Sequence, residues 1–353
     1  MFHDFIMSIS VTSRQPDGSR NSIDGSSVIR SEAYPSPDPL PPPLSPLTPQ
    51  PSKVVTIVGE HKLGQAKDRL RNPLGLCLID QYVLVTDTLN HRVLMYPNKR
   101  NATLSKIIAG NGQSGYSLNQ LNGPTDMIYH TKSQSIIICD RRNRRILQIP
   151  SISRRKTKIL LADIACWGVA IDRNDNIYVS DTDRHAVKRF RLGNRRLETV
   201  AGGNGQGSRL NQLSHPTYIA LGPADEIYIS DSENNRVVKW NMNDTEGTIV
   251  AGGKGRGKNF NQLDYPMGLA VNDLGTVYVA DYWNHRIMRW FQNSSTGQQI
   301  VGDRYRADRG QCDLNCPAGI RLDDEGYLYV ADSQNQRIQK FCIELLDRIN
   351  LFI

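Results

Sequence analysis

The sequence is most informative in what it lacks. No amphipathic helical stretch appears between residues 52 and 341, which excludes helical bundles and alternating α/β folds. No run reaches the ~18 apolar residues of a membrane-spanning helix, so no membrane partner is expected. Phe5 to Val11 is apolar but short, follows Asp4 and lacks a basic flank, which makes a poor signal peptide. Cysteine is sparse. Cys77, Cys139 and Cys166 sit in apolar runs, Cys312 and Cys316 share one loop, and Cys342 stands near the end. Six cysteines so placed do not make a disulfide framework. Core thiols without an export signal imply a reducing compartment, so a cytoplasmic location is expected.

The first fifty residues differ from the rest. They are rich in Ser, Pro and Asp and end in a dense proline run, Pro35 to Pro46. Proline removes backbone donors and this run has little to bury, so residues 1–51 are expected to form a disordered tail. The chain as a whole carries +8. Because the tail is slightly acidic, the remainder is more basic still, which favours solubility or an anionic partner.

What is present is a repeat. One phrase occurs six times, opening at Asp87, Asp140, Asp181, Asp231, Asp281 and Asp332. Five copies close on Arg92, Arg145, Arg236, Arg286 and Arg337; the third has Ala186 there and Arg184 in place of Asn. The fourth unit shows the build. Thr217–Leu221, Glu226–Asp231, Arg236–Trp240 and Gly247–Gly252 are short runs rich in Val, Ile and Tyr, separated by Gly, Asn and Asp. Four strands per unit and six units predict an all-β, six-bladed β-propeller. A fourth-strand phrase precedes the first blade at Val54–Gly59 and none follows Arg337. The ring is therefore expected to close with the N-terminal strand in the last blade. The expected domain spans residues 52–342, with a short extension over 343–353.

These residues carry a resemblance. The phrase Tyr278-Val-Ala-Asp281-Tyr-Trp-Asn284-His-Arg286-Ile resembles the NHL repeat, as does Pro266-Met-Gly268-Leu-Ala at the first strand. The resemblance implies a six-bladed propeller of the kind found in tripartite-motif proteins, receptor-like bacterial kinases and peptidyl-amidating lyases. The RING and B-box zinc ligands and the kinase motifs that accompany it elsewhere have no counterpart in this sequence, so those activities do not carry over.

The repeated Asp and Arg read as structural. A carboxylate heading a tight turn can accept N–H groups two or three residues on, and the Arg can pair with the Asp or with nearby carbonyls. Glycine-rich Gly110–Gly115 and Gly252–Lys258 precede no helix that could present N–H groups to phosphate. Asp172–Asn176 opens like a calcium loop but lacks its Gly and closing Glu. Asn72, Gly123, Ala165, His215, Tyr265 and Cys316 are placed around the channel mouth. Of these only His215 and Cys316 suit zinc, too few for a catalytic centre. His91, His185 and His285 recur in the turns, too far apart to converge. No metal, cofactor or catalytic residue is expected, and a zinc-dependent lyase-like enzyme is the least favoured alternative.

The expected site is a basic loop face, shared by the loops leading into each first strand and by the turns carrying the phrase. The hairpins on the opposite face are acidic in places, as at Asp323 to Glu325. Lys254, Arg256 and Lys258 precede blade five, whose turn holds Tyr282 and Trp283; Arg304, Tyr305 and Arg306 follow it. A shortened loop before blade three is expected to leave a notch above Trp167. A protein or peptide partner of a monomeric scaffold is the first reading. Single-stranded RNA, held by phosphate contacts and base stacking, is the second.

Overall fold

The computed structural model describes residues 54–59, 64, 66, 68–102, 105–151, 156–194, 196–302 and 313–343. The tail expected over 1–51, the extension beyond Ile343, and Arg304, Tyr305 and Arg306 lie outside the described residues. Six four-stranded antiparallel sheets form six blades. Blade one is Pro73–Ile79, Tyr82–Asp87, Arg92–Pro97 and Lys106–Ala109; blade two is Pro124–His130, Ser135–Asp140, Arg145–Pro150 and Lys158–Ala162. Blade three is Cys166–Ile171, Asn176–Asp181, Ala186–Arg191 and Glu198–Gly202; blade four is Pro216–Leu221, Ile227–Asp231, Arg236–Trp240 and Thr248–Gly252. Blade five is Pro266–Val271, Val277–Asp281, Arg286–Trp290 and Gln298–Gly302. Blade six is Pro317–Leu322, Tyr327–Asp332 and Arg337–Cys342, completed by Val54–Val58. Val54 pairs with Phe341 and Val58 with Ile338, so the ring closes as expected, leaving no interface between blades without a partner.

Each strand buries alternate residues against a neighbouring blade. One apolar cluster between blades three and four joins Tyr178, Val187 and Ala201 to Ile219, Ile229 and Trp240, and similar clusters fill the other interfaces. The Pro-x-Gly phrase is explained by close approach of inner strands. A Cβ on Gly75 would lie 2.6 Å from the Thr125 carbonyl oxygen, and one on Gly168 2.5 Å from that of Thr217. Blades two and four carry Asp126 and Tyr218 at this position. Both side chains cross the channel. Tyr218 donates to the Leu74 carbonyl of the opposite blade at 3.0 Å, and Asp126 accepts from Arg321 of blade six at 2.9 Å. With Trp167, Met267 and Ala318 they plug the ring's centre.

Candidate functional site

The repeated phrase builds the loop face. Each second strand ends in the Asp, and in five blades a single 3-10 turn follows. The fifth residue is left-handed in every blade, with φ between 47° and 57°. Five of these six are His, Asn or Gln and one is Arg144. The Asp does not cap its own turn, which corrects the expectation of local N–H bonds. Instead Oδ1 accepts an N–H from the loop before its own first strand. The donors are Arg71, Asn122, Ser214, Asp264 and Asn315, at 2.6–2.7 Å. Oδ2 accepts from the Asn side chain and from the Arg Nε, as Asp281 does from Asn284 at 2.9 Å and Arg286 at 2.7 Å.

The remaining guanidinium donors go to the same loop. Arg286 reaches the carbonyls of Lys258, Asn259 and Gln262, and Asn284 that of Gly257. Arg145 and Arg236 repeat the pattern in blades two and four. The phrase is thus a buried clamp that fixes the shape of the basic loops. Burial raises the carboxyls of Asp87, Asp231 and Asp332 above their ordinary value and lifts Asp281 to about 6, against the pull of Arg and Asn. The clamp therefore specifies geometry more than it adds net stability. Blade three departs as the sequence does. Arg184 alone holds Asp181 at 2.9 Å and grips the Asp163 carbonyl at 3.0 Å.

The fifth residue joins blade to blade. The His91 Nδ1 accepts the Gly123 N–H, His185 that of His215, and His285 that of Cys316, each at 3.1 Å. Asn235 and Gln336 accept from Tyr265 and Asn72 in the same way, at 2.9 and 2.5 Å. The scattered histidines therefore never needed to converge. Each is an acceptor locking its blade to the next. Burial lowers the imidazoles of His91 and His285, with Arg142 and Arg71 adding to it at the first and Lys258 at the second. Arg144 has no acceptor to offer, and blade two grips blade three through its carbonyl, which accepts the Ile164 N–H at 3.1 Å.

Several expected site residues prove internal. Tyr282 is 2% exposed and Trp167 5%, which removes both from the contact surface. In four blades the residue after the Asp is a small hydroxyl; Thr88, Ser232 and Ser333 cap the first carbonyl of the next inner strand. Tyr282 takes that inward place in blade five and packs on Tyr265 and Cys316. Arg141 takes it in blade two and lies 4.6 Å over the Trp167 ring, filling the expected notch. An aromatic arc runs on from Trp167 through His215 and Tyr265 to Tyr282 and Trp283, with ring centres 4.9–6.4 Å apart. His215 and Cys316 are buried; the Tyr265 hydroxyl meets His215 Nδ1 at 3.1 Å, and His285 Nδ1 lies 3.9 Å from Cys316 Sγ. Among the described residues no three His, Cys, Asp or Glu side chains gather as metal ligands would.

The next turn position points outward and differs in every blade: Leu89, Arg142, Asp183, Glu233, Trp283 and Gln334. Trp283 is 37% exposed, and its backbone N–H donates to the Asp264 carbonyl. Asp264 in turn pairs with Arg256 at 3.0 Å. Lys254, Arg256 and Lys258 are exposed. The face therefore has a fixed frame, a mixed-charge inner ring and one basic loop beside an exposed indole.

Such a ring of blades, plugged at its centre and held by a repeated Asp–Asn–Arg clamp, defines a six-bladed β-propeller. Residues 165–190, 213–240, 263–289 and 314–341 match the NHL repeat, and the chain is an NHL-repeat propeller. No curated protein sequence matches it. Among solved structures it is similar to a structural-genomics protein of unknown function from Bacteroides thetaiotaomicron. That match has a TM-score of 0.66 and 16% identity over 82% of this chain and 75% of the other. A gluconolactonase from Xanthomonas campestris gives 0.58 and 12%, over 82% and 89%. A chain of the nidogen/laminin complex gives 0.52 and 15%, over 65% and 79%. At these identities the likeness concerns the fold alone.

Proposed function

We propose that this propeller is a binding scaffold whose loop face holds a protein or peptide partner and carries out no chemistry there. One observation carries the reading. The recurring part of the repeat, complete in five blades, is spent on fixing the loops, while the outward position beside it changes in every blade. A frame that is constant and a rim that varies is the arrangement a specific docking surface requires. The inner ring sets Arg142 beside two acids, Asp183 and Glu233, which suits a partner of mixed charge better than a polyanion. Trp283 supplies the exposed aromatic anchor. The five described cysteines are unpaired, which supports a reducing, cytoplasmic setting.

A photo-crosslinking residue at Trp283 should capture a discrete protein in cells. The same residue at Leu274, 62% exposed in the opposite hairpin, should not. Capture from Leu274 alone would refute the assignment of the face. Single-stranded RNA is the second reading, favoured by Lys254, Arg256 and Lys258 beside Trp283. Binding to a single-stranded oligonucleotide must then fall steeply with salt and drop when the three cations become Ala. A flat salt response removes it.

A further inference from the structure

On the hairpin face of blade two, away from the loop platform, three side chains lie in file. His130 Nδ1 is 2.6 Å from the Ser133 Oγ, and its Nε2 is 3.1 Å from Asp175 Oδ1, in the first hairpin of blade three. One tautomer satisfies both contacts: Nε2 donates to the carboxylate and Nδ1 accepts the serine proton. Lys132 donates to both oxygens of Asp175 at 2.8 and 2.9 Å. With His130 it holds that carboxyl below its ordinary value. His130 itself is buried, and Ser133 is half-buried.

Ser133 is the member that meets solvent space. It borders two hollows of about 730 and 330 Å3 that also share Gln148 and Lys158. The larger is walled by Leu118, Ile159, Leu160, Phe190 and Leu192. Gln148 Nε2 donates to Ser133 Oγ at 3.1 Å and to Ser135 Oγ at 2.8 Å. The hairpin closes on its own bonds, from His130 Nδ1 to Ser133 Oγ and from Ser133 Oγ to Ser135 Oγ at 2.5 Å. It does not need an acceptor from the neighbouring blade on the far ring nitrogen, nor an amide donor where a hollow opens.

We propose that Ser133, His130 and Asp175 form a second functional site, a serine nucleophile with its base and orienting carboxylate, acting on carboxylic esters with an apolar acyl chain. Ser133 Oγ bonds to the ester carbonyl carbon while its proton passes to His130 Nδ1. The Gln148 amide is the donor placed to meet the oxygen that gains charge. The carbon–oxygen bond to the alcohol breaks, and the alcohol leaves with the proton from His130. Water, deprotonated by His130, then releases the carboxylic acid and restores the serine. The acyl chain lies along the Leu118–Phe190 wall. The site is independent of the loop face, and failure of either assignment leaves the other standing.

The test uses the full chain with a long-chain alkyl fluorophosphonate, followed by peptide mapping, and with p-nitrophenyl esters of two and eight carbons. The expected result is a label on Ser133 and faster release from the longer ester. Ser133→Ala should abolish both. Asp175→Asn should slow labelling by at least about 100-fold at an unchanged unfolding midpoint, and Asp175→Glu should restore part of the rate. A folded wild-type chain that takes no label, a label elsewhere that survives Ser133→Ala, or Asp175→Asn labelling at the wild-type rate would each overturn the proposal.

Discussion

Replacing Arg286 by Met tests the clamp most directly. The guanidinium and the Asp281 carboxylate are both fully buried, and their Nε–Oδ2 distance is 2.7 Å. Methionine keeps most of the apolar stem but leaves the carboxylate without its cation. Removing one partner of a buried pair costs about 3–5 kcal/mol, or roughly 6–10 °C in unfolding midpoint at about 2 °C per kcal/mol for a domain of this size. The sign of its pH dependence follows from Asp281. With Arg286 present its carboxyl already stands at about 6, above the roughly 3.9 of an unfolded Asp, and without the cation it must rise further. A group raised on folding favours the fold below its unfolded value and loses that contribution as pH rises through the folded one. The deficit of Arg286→Met should therefore be largest near pH 7.5 and shrink towards pH 5. Calorimetry of both proteins across that range reads the difference. Amide exchange should also quicken over residues 258–262, where the carbonyls of Lys258, Asn259 and Gln262 lose their donor. A deficit below about 1 kcal/mol at pH 7.5, or one that grows on acidification, would refute the account.

Three further outcomes are expected. His285→Asn, which copies the acceptor at Asn235, should match the wild type at pH 7.5 and exceed it at pH 5. An imidazole lowered on folding supports the fold above about 6.5 and withdraws that support as pH falls; equal midpoints at both pH values would count against the lock. Tyr218→Phe leaves the buried Leu74 carbonyl without its donor and should cost about 1–3 kcal/mol, read by denaturant unfolding. Deleting residues 1–59 removes Val54–Val58 and bares the edge of Arg337–Cys342. The product should associate or aggregate on size-exclusion chromatography, and a stable monomer would contradict the closure.

Much of the ring was legible because the repeat announces its own period. The number of blades, the strands of each and the closing role of Val54–Val58 all follow from phrases that recur in order. What the sequence hid was the sense of single positions. Tyr282 and Trp283 are neighbours, yet the 3-10 turn sends one inward and the next out. The Thr and Ser at Thr88, Thr182, Ser232 and Ser333 mark the inward place, but only once their bonds to buried carbonyls are seen. Tyr218 and Asp126 stand where four other blades have Gly, and that departure signals a channel-crossing side chain without saying what it crosses to. The Asp clamp reaches back 16–18 residues, too far for any local turn rule. Asp175 meets His130 only because adjacent blades bring their first hairpins together.

The blade-to-blade locks give the ring an uneven response to ionic strength. Five joints are made by neutral side-chain acceptors on backbone N–H groups, contacts that dissolved ions scarcely weaken. The joint between blades two and three adds exposed ion pairs instead, from Arg144 to Asp163 at 3.2 Å and to Asp183 at 2.5 Å. Pairs of that kind are screened within a Debye length of ~8 Å at physiological salt and fade further above it. Raising the salt therefore relaxes the lock at one seam of the circle while the other five locks hold. That seam is the one flanking the Ser133 hollow.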